Sequence, residues 1–256
     1  MIDIHMHIIP GIDDGSQSMN ESVAMVSMAY DSGVHHIVTT SHCYPGLYDN
    51  YASQELNEKW DELVHRIETE RIPVHLYKGM EIMAYNQLPD DLINSKVWTI
   101  NHTNYFLVEF EFDEKPDYCN DILSKCSECG FRPVIAHPER YYCIQDDPGI
   151  VYKWFKLGYG IQINKGSLLS RFGRREKRTA ESLLRHHLVH CTASDAHNTD
   201  SRSPSMTKLK LYLEKNYGKE YSYMLLNENP RRILEGRRLV GYEPLQYNRL
   251  SGRYER

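Results

Sequence analysis

Residues 1–15, MIDIHMHIIPGIDDG, begin with a short apolar run that contains two histidines one residue apart. Successive side chains of a β-strand point to opposite sides, so His5 and His7 share one side and the apolar residues around them share the other. Two aspartates, Asp13 and Asp14, follow in a glycine-containing loop. Because histidine is the commonest metal-ligating side chain, this stretch predicts a buried strand with a metal site at its C-terminal end.

The same pattern of an apolar run followed by polar side chains recurs along the chain. Amphipathic stretches such as NESVAMVSMAYDSG and YCNDILSKCSECG, each with glycine where a helix ends, separate the runs. Strands that alternate with helices predict βαβ units and a parallel sheet. We expect a closed or nearly closed βα-barrel, with a doubly wound open sheet as the alternative. The predicted strands are MIDIHMHI, HHIVTTSH, VHLYKGMEI, YFLVEF, RPVIAHPE, GIQIN and HCTASDAH.

Most of these strands end in a side chain that can bind a metal. The C-terminal ends of the strands form the face of a βα-barrel that carries active sites. Mixed imidazole and carboxylate ligands suit Mn, Fe, Zn or Co better than Ca or Cu(I). Each residue alone has a structural interpretation, but so many ionisable groups at one end would be costly to bury without a cation. The strand-end residues are His5, His7, His42, Glu81, Glu109, His137, Asp195 and His197.

The composition sets the class of protein. The chain has 256 residues, of which 41% are hydrophobic, which fits one globular domain with a substantial core. We predict a single domain over residues 1–240 and a polar surface tail over residues 241–256. The net charge of −5 gives no basic stripe for nucleic acid, and we expect no such partner. Neither an apolar run of membrane-spanning length nor a signal-peptide pattern is present, so we expect a cytoplasmic protein with its six cysteines reduced.

Several motifs, taken in order, resemble the polymerase and histidinol phosphatase (PHP) family. These are DIHMH, the SH after the second strand, GMEI, AHPER and SDAH. The opening MIDIHMHIIPGIDDGS, together with VEFEF, PVIAHPER and SDAHN, is closer to the family's bacterial tyrosine-phosphatase branch. Enzymes of that branch accompany capsular and exopolysaccharide tyrosine kinases. The similarity covers nearly the whole chain and implies a distorted (β/α)7 barrel of the TIM-like type.

The resemblance also implies a trinuclear site that often holds manganese, with Fe, Zn, Co or Mg as other possible ions. Arg140 of HPER and Arg202 match positions that grip the substrate phosphate. Carried over position by position, the ligands are His5, His7, Glu81 and Asp195 for the first ion, Glu109 and His137 with Glu81 as a bridge for the second, and Asp14, His42 and His197 for the third.

The chain departs from the family pattern in two places. The second strand ends TSHCY where relatives often have TPHH, so a cysteine replaces one histidine. The loop INKGSLL has Asn164 and Lys165 where relatives often carry small hydroxyl residues, and Lys165 could add positive charge near the phosphate. The predicted ligands are unaffected, but substrate preference is left open.

The resemblance implies hydrolysis of phosphotyrosine, on a bacterial tyrosine kinase that regulates capsule or exopolysaccharide synthesis. Clustered divalent ions lower the pKa of bound water, so a metal hydroxide is expected to attack phosphorus directly. Arg140, with the metals and Arg202, would offset charge on the phosphoryl oxygens. Asp14 or a site histidine such as His42 would pass a proton to the leaving tyrosyl oxygen.

Three other functions are consistent with parts of the pattern: a small-molecule phosphatase such as one for histidinol phosphate, a metal-dependent amidohydrolase, and a non-catalytic binding subunit. Amidohydrolases commonly use a carbamylated strand-end lysine, and no such lysine ends the fourth strand. Cys126 and Arg132 match the C-x5-R spacing of cysteine-based tyrosine phosphatases. However, Cys126 lies near a helix C-terminus, where the dipole opposes a thiolate. Tyr48 and Tyr51 follow the second strand and could flank a phosphotyrosine ring.

Overall fold

The computed structural model describes residues 1–248 and 253–255. All seven predicted strands are present, and two of them are each divided into two segments. Residues 249–252 and 256, which belong to the predicted tail, lie outside the described residues. The parallel strands are β1 (Ile2–Met6), β2 (His36–Thr39), β3 (His42–Cys43), β4 (His75–Lys78), β5 (Glu81–Met83), β6 (Tyr105–Glu109), β7 (Arg132–Ala136), β8 (Gly160–Asn164) and β9 (Cys191–Ala193).

The strand pairings follow chain order. One sheet has the order β1-β2-β4 and the other β3-β5-β6-β7-β8-β9, with every pair parallel. The chain itself links the sheets, because β2 continues into β3 and β4 into β5. Backbone hydrogen bonds of 2.9 Å from His7 N to Ala196 O and from Asp195 N to His5 O join β1 to the segment after β9. The last segment of the strand order therefore contacts the first strand. The predicted α/β fold with barrel-type parallel strands is confirmed.

Helices connect the strands and cover them. Gly33 and Gly130 follow the first and fourth helices with φ of 90° and 88°, the left-handed conformation predicted for these helix ends. Short 3₁₀ turns cover Ile100–His102 and Pro138–Arg140, a π-helical turn covers Met224–Glu228, and β10 (Gln246–Asn248) pairs antiparallel with β11 (Arg253–Glu255). The helices are α1 (Met19–Asp31), α2 (Gln54–Thr69), α3 (Leu88–Ile93), α4 (Pro116–Glu128), α5 (Tyr142–Asp146), α6 (Gly149–Lys156), α7 (Lys165–Leu168), α8 (Arg174–Arg185), α9 (Thr207–Tyr217), α10 (Lys219–Tyr223) and α11 (Asn229–Leu234).

An apolar layer fills the space between the strands below their C-terminal ends. By strand alternation, Tyr105 and Leu107 lie on the same side of β6 as Glu109. They belong to a buried cluster that includes Val134, Ala136 and residues of β1 and β9. A second, larger cluster packs the outer side of the strands against the helices. The polar side chains predicted at the strand ends thereby lie above this apolar layer.

Among the described residues, no helix combines the length and apolar character needed to cross a membrane.

His190, just before β9, is expected to make stability depend on pH. Its ring stacks on Phe155 with centroids 4.5 Å apart, and its Nδ1 accepts a hydrogen bond from Ile161 N at 3.2 Å. Burial lowers the pKa of His190 from 6.5 to about 3. As the pH falls below 6.5, the unfolded chain therefore takes up a proton that the folded chain excludes. This contribution to the free energy of unfolding is present above pH 6.5 and is lost toward pH 3, by up to about 1.4 kcal/mol per pH unit.

The measurement is urea unfolding at pH 7 and pH 5 for the wild type and His190→Asn. The asparagine oxygen can still accept the Ile161 N–H but does not titrate. The variant should be less stable at pH 7, because the ring stack is lost, yet it should lose less stability between the two pH values. An equal loss in both proteins would contradict the assignment.

Candidate metal centre

The carboxylate of Glu81 lies at the centre of a group of imidazoles. It is 1% exposed, and its Oε2 lies 3.0 Å from His5 Nε2, 3.2 Å from His7 Nε2 and 3.2 Å from His42 Nδ1. Its other oxygen lies 2.8 Å from His137 Nε2. Glu81 therefore contacts histidines delivered by β1, β3 and the turn after β7.

The positions of His42 and Glu81 correct a detail of the sequence analysis, which placed them at the ends of the second and third strands. Each is instead the first residue of a short second segment, β3 or β5. In the break before β5, Gly79 approaches β2 so closely that a Cβ there would lie 2.6 Å from Val38 Cγ1. The segments β3 and β5 pair with His42 opposite Glu81, so the breaks keep the two side chains adjacent.

Asp195 supplies a second buried carboxylate. Its Oδ1 lies 3.4 Å from His5 Nε2, 3.6 Å from His7 Nε2 and 3.5 Å from His197 Nδ1. Its backbone φ of 50° is left-handed, which is uncommon for a residue other than glycine and marks a conformation held by its surroundings.

The described residues contain three groups whose potential ligand atoms all lie within 4.8 Å of one another. His137 adjoins them, with Nε2 3.7 Å from Glu109 Oε2. The structure therefore brings all nine predicted ligands together, although their role as ligands stays a prediction. In the predicted sets, His7 and His42 each belong to one ion. In the structure, His7 also lies in the group that contains Asp14, and His42 also lies in the group that contains Glu109. The groups are His5, His7, Glu81 and Asp195; His42, Glu81 and Glu109; and His7, Asp14, His42 and His197.

Buried hydrogen bonds fix the orientation of His5 and His7. His5 Nδ1 lies 2.9 Å from Gln162 Oε1, and His7 Nδ1 lies 3.0 Å from Asp13 Oδ2. Because both partners are acceptors, each Nδ1 donates a hydrogen bond to its partner, which leaves each Nε2 to face the cluster. The two Nε2 atoms lie only 3.2 Å apart and also face the carboxylates. Nitrogen atoms that face carboxylates and each other in this way are stabilised by positive charge between them, supplied by a proton or by a metal ion.

Two amide side chains on β8 connect His5 to Asp195. Gln162 Nε2 donates to Asn164 Oδ1 at 2.8 Å, and Asn164 Nδ2 donates to Asp195 Oδ2 at 2.5 Å. The chain of donors and acceptors runs in one direction from imidazole to carboxylate. This role of Gln162 and Asn164 was not predicted from the sequence. The alternating polar residues of GIQIN, a buried strand, were the available signal.

Asp13 is a third residue whose role was not predicted from the sequence, because only Asp14 of the pair was assigned one. Its carboxylate accepts hydrogen bonds from His7 and from His42 N at 2.9 Å, and it is 7% exposed. Burial would raise the pKa of Asp13, but the hydrogen bond and charge of His7 outweigh it and lower the pKa. Gly15 N also donates to it, and a Cβ at Gly15 would lie 2.4 Å from His7 Cβ. The DDG loop is therefore shaped to hold His7.

The electrostatic field of the cluster favours positive charge. Burial alone would lower the pKa of His5, yet the charges of Glu81 and Asp195 raise it to about 9. At the entrance, burial is likewise outweighed by Glu81, Asp14 and Glu109, which raise the pKa of His42 to about 12. Its buried Nδ1, 2.9 Å from Glu109, makes no hydrogen bond of acceptable geometry. Imidazole and carboxylate donors in such a field fit divalent first-row metals.

Two arginines lie beside the cluster. The guanidinium of Arg140 is held between two aromatic rings, 4.3 Å from the centroid of Phe112 and 4.5 Å from that of Phe172. Its Nη1 lies 3.9 Å from Asp195 Oδ2, and Arg202 Nη2 lies 2.6 Å from Asp195 Oδ1. Both side chains are only about one-fifth exposed, 20% and 23%. Each guanidinium is thus oriented by neighbours while retaining access to solvent.

Lys165 has a different position from the one considered in the sequence analysis. Its Nζ donates to the backbone carbonyls of Ser203 and, at 3.1 Å, Ser205. Burial lowers the pKa of Lys165 to about 8. The ammonium therefore ties down the loop that carries Arg202, and it is not a free charge for a phosphate.

The loop tyrosines divide into two kinds. Tyr48 stacks on the ring of His42, with centroids 5.7 Å apart and planes 11° apart, so it adjoins the cluster. Tyr44 OH donates to Glu111, which fixes the same loop. Tyr51, by contrast, packs against the apolar core.

Cys126 does not form a cysteine-phosphatase site. It is buried in the last turn of α4, where burial raises the pKa of its thiol to about 12. Arg132 instead lies against Tyr105, 5.5 Å from the ring centroid, and donates to Gly236 O. Neither residue belongs to the histidine–carboxylate cluster.

A barrel-type array of parallel strands with a buried histidine–carboxylate cluster at one end is the architecture of a metal-dependent hydrolase. The chain matches, over residues 1–235, the family described as capsular polysaccharide synthesis, CpsB/CapC, and belongs to that family.

Individual relatives agree with this membership. The tyrosine-protein phosphatase YwqE of Bacillus subtilis is 36% identical over 95% of both chains. The putative tyrosine-protein phosphatase CapC of Staphylococcus aureus is 33% identical over 89% of this chain and 92% of its own. A solved structure, from work on YwqE of B. subtilis and CpsB of Streptococcus pneumoniae as metal-dependent tyrosine phosphatases, superposes with a TM-score of 0.90. It is 36% identical and covers 97% of this chain and 100% of its own.

Asp13→Asn should weaken metal binding without unfolding the protein. The amide cannot provide the charge that orients His7, and loss of such a partner typically costs about 10- to 100-fold in metal affinity. The measurement is manganese titration by calorimetry, with circular dichroism as the check on folding. The matched control is Asp31→Asn, which removes an exposed carboxylate at the end of α1. Equal affinity in the two variants would show that Asp13 does not orient a ligand.

Proposed function

We propose that this chain is a cytoplasmic, metal-dependent protein-tyrosine phosphatase with one catalytic domain over residues 1–240. Its substrate would be phosphotyrosine on a bacterial tyrosine kinase that controls capsule or exopolysaccharide synthesis. The observation that carries the proposal is the convergence of nine metal-capable side chains next to two oriented arginines. Relatives named tyrosine-protein phosphatase, similar over nearly the full chain, support it.

The proposed cofactor is a group of three manganese ions, with Fe, Zn, Co or Mg as alternatives. When bound, clustered divalent ions lower the pKa of water and neutralise charge on phosphoryl oxygens. Glu81 is placed to bridge between ligand groups, because its carboxylate belongs to two of them and contacts His137.

The arginines bind and orient the phosphoryl group. A guanidinium matches phosphate oxygens through two parallel hydrogen bonds, and the rings of Phe112 and Phe172 restrict how Arg140 can turn. Asp14 is the most exposed cluster carboxylate, at 48%, which supports a role for it beside the leaving tyrosyl oxygen. Because the pKa of tyrosine is about 10, little proton transfer to that oxygen is needed.

The amidohydrolase interpretation is not favoured by the site. Glu109, not a lysine, ends β6, and the nearby Lys165 is engaged by backbone carbonyls. A binding subunit that had lost catalysis would be expected to lack some of the candidate ligands, and all nine of these side chains lie together in this chain.

Replacing both His5 and His7 with alanine should abolish phosphate release from a phosphotyrosine peptide. Loss of two ligands removes the charge that stabilises the transition state, so we expect a fall in kcat/KM of at least about 10²-fold. The wild type should lose activity on treatment with a chelator and regain it with added Mn²⁺. The control replaces two exposed histidines, His65 and His102, in the same way. Activity that survives in the His5/His7 double variant would rule out the mechanism.

A comparison of substrates separates the protein phosphatase from a small-molecule phosphatase. With manganese supplied, kcat/KM should be at least about tenfold higher for a phosphotyrosine peptide than for a phosphoserine peptide or histidinol phosphate, because phenolate is the better leaving group. Faster turnover of histidinol phosphate would reassign the substrate but leave the metal chemistry intact.

A further inference from the structure

A strongly basic segment adjoins the candidate active site. Residues 171–178, RFGRREKR, contain five cationic side chains and one glutamate in a chain of net charge −5. The segment connects α7 to the first turns of α8. Like charges this close together repel each other unless carboxylates pair with them.

Only some of these charges have partners. Arg175 pairs with Asp146, and Lys177 lies 3.9 Å from Glu181 and donates to Ser170 Oγ at 3.0 Å. Three other side chains are exposed, and no carboxylate of the described residues lies within ion-pair distance of them. We call them the cationic strip: Arg171, Arg174 and Arg178.

Helix stability does not explain the strip. Arg174 is the first residue of α8 and Arg178 lies one turn later. Positive charge in the first turn of a helix is disfavoured by the helix dipole. The two residues are four apart and so lie on the same side of the helix, where like charges repel each other. The arrangement costs stability, which favours a role in binding an anion.

The strip begins at the rim of the phosphate site. Phe172, which directly follows Arg171, contacts the guanidinium of Arg140. Phe172 is fixed from behind by Gly166, where a Cβ would lie 2.4 Å from the phenyl ring. The charge of Arg171 also acts on the neighbouring Lys165, which itself holds the Arg202 loop. The strip therefore begins one residue from a side chain that contacts Arg140, the residue proposed to bind the phosphate.

We propose that the cationic strip binds acidic residues that flank the phosphotyrosine, so that the preferred substrate is a phosphotyrosine within an extended acidic segment. This inference rests on the proposed function and narrows its substrate class. Arg174 and Arg178 are about 6 Å apart along the helix axis. This is about the distance between alternate residues of an extended chain, so carboxylates two residues apart match the pair.

The test compares two phosphotyrosine peptides of equal length, one with aspartates and glutamates on both flanks and one with serines. The wild type, loaded with manganese, should have a kcat/KM about tenfold higher for the acidic peptide, mainly through KM, as expected for three exposed ion pairs. The preference should shrink as salt is raised, because exposed charges are screened. Binding of both peptides is also measured by fluorescence anisotropy, so the result does not depend on turnover.

The test variant is Arg171→Gln, Arg174→Gln and Arg178→Gln combined. Its preference for the acidic peptide should disappear, while turnover of the serine peptide and of p-nitrophenyl phosphate stays within twofold of wild type. The matched control replaces three exposed cations elsewhere, Lys208, Lys219 and Arg238, with glutamine and should keep the preference. Circular dichroism checks that both variants are folded.

Several results would overturn the proposal: no preference in the wild type, a preference retained by the strip variant, or an equal loss in the control. A strip variant that loses binding to vesicles containing anionic lipid, with its peptide preference unchanged, would assign the strip to a membrane surface instead. Failure to hydrolyse either peptide would count against the proposed function, whereas hydrolysis without preference counts only against the strip.

Discussion

The burial of the Glu81 carboxylate among imidazoles is the constraint on which the rest of the structure depends. An unpaired carboxylate in this position would cost several kcal/mol. Burial would raise the pKa of Glu81, but the charges of His5 and His42 and the hydrogen bond with His137 hold it well below its usual range. Because these partners come from different strands, the requirement fixes how the strands align. A one-residue slip of β1 would turn His5 and His7 to the opposite side and leave Glu81 without them.

The hydrogen bonds from His5 to Gln162 and from His7 to Asp13 hold both imidazoles in fixed orientations. They direct two imidazole Nε2 atoms toward each other, which is unfavourable without the positive charge of a proton or a metal ion beside them. The polar groups that enforce this orientation, Asp13 and Gln162, are themselves buried and satisfied. A cation bound only by the folded chain stabilises that chain by mass action, so metal occupancy and stability are linked. The apolar layer around Leu107 and Val134 supports the site from below and keeps the polar residues at one end.

The sequence predicted the parts of this arrangement that follow from local pattern. Apolar runs and glycine-terminated amphipathic stretches are local signals, and the polar residues at strand ends, such as Glu109 and His137, followed from them. The breaks before His42 and Glu81 could not be predicted, because they depend on how closely β2 and β4 approach each other at Gly79. The hydrogen bond between His5 and Gln162 joins residues 157 positions apart. Such a contact depends on which strands face each other, and the spacing of residues along the chain does not contain that information.

Charge links the cluster to substrate recognition. The cluster places four carboxylates, those of Asp14, Glu81, Glu109 and Asp195, where a phosphate is proposed to bind, and their negative field opposes phosphate binding. Arg140 and Arg202 only partly reverse this field, because both also face Asp195. We therefore expect affinity for the phosphate itself to increase when cations are bound. Affinity for an acidic flank depends on Arg171, Arg174 and Arg178, which have no carboxylate partner among the described residues, and it should persist without metal. The two contributions to substrate binding can thus be measured separately. Affinity for the phosphate should change with metal occupancy, and affinity for the acidic flank should change with ionic strength.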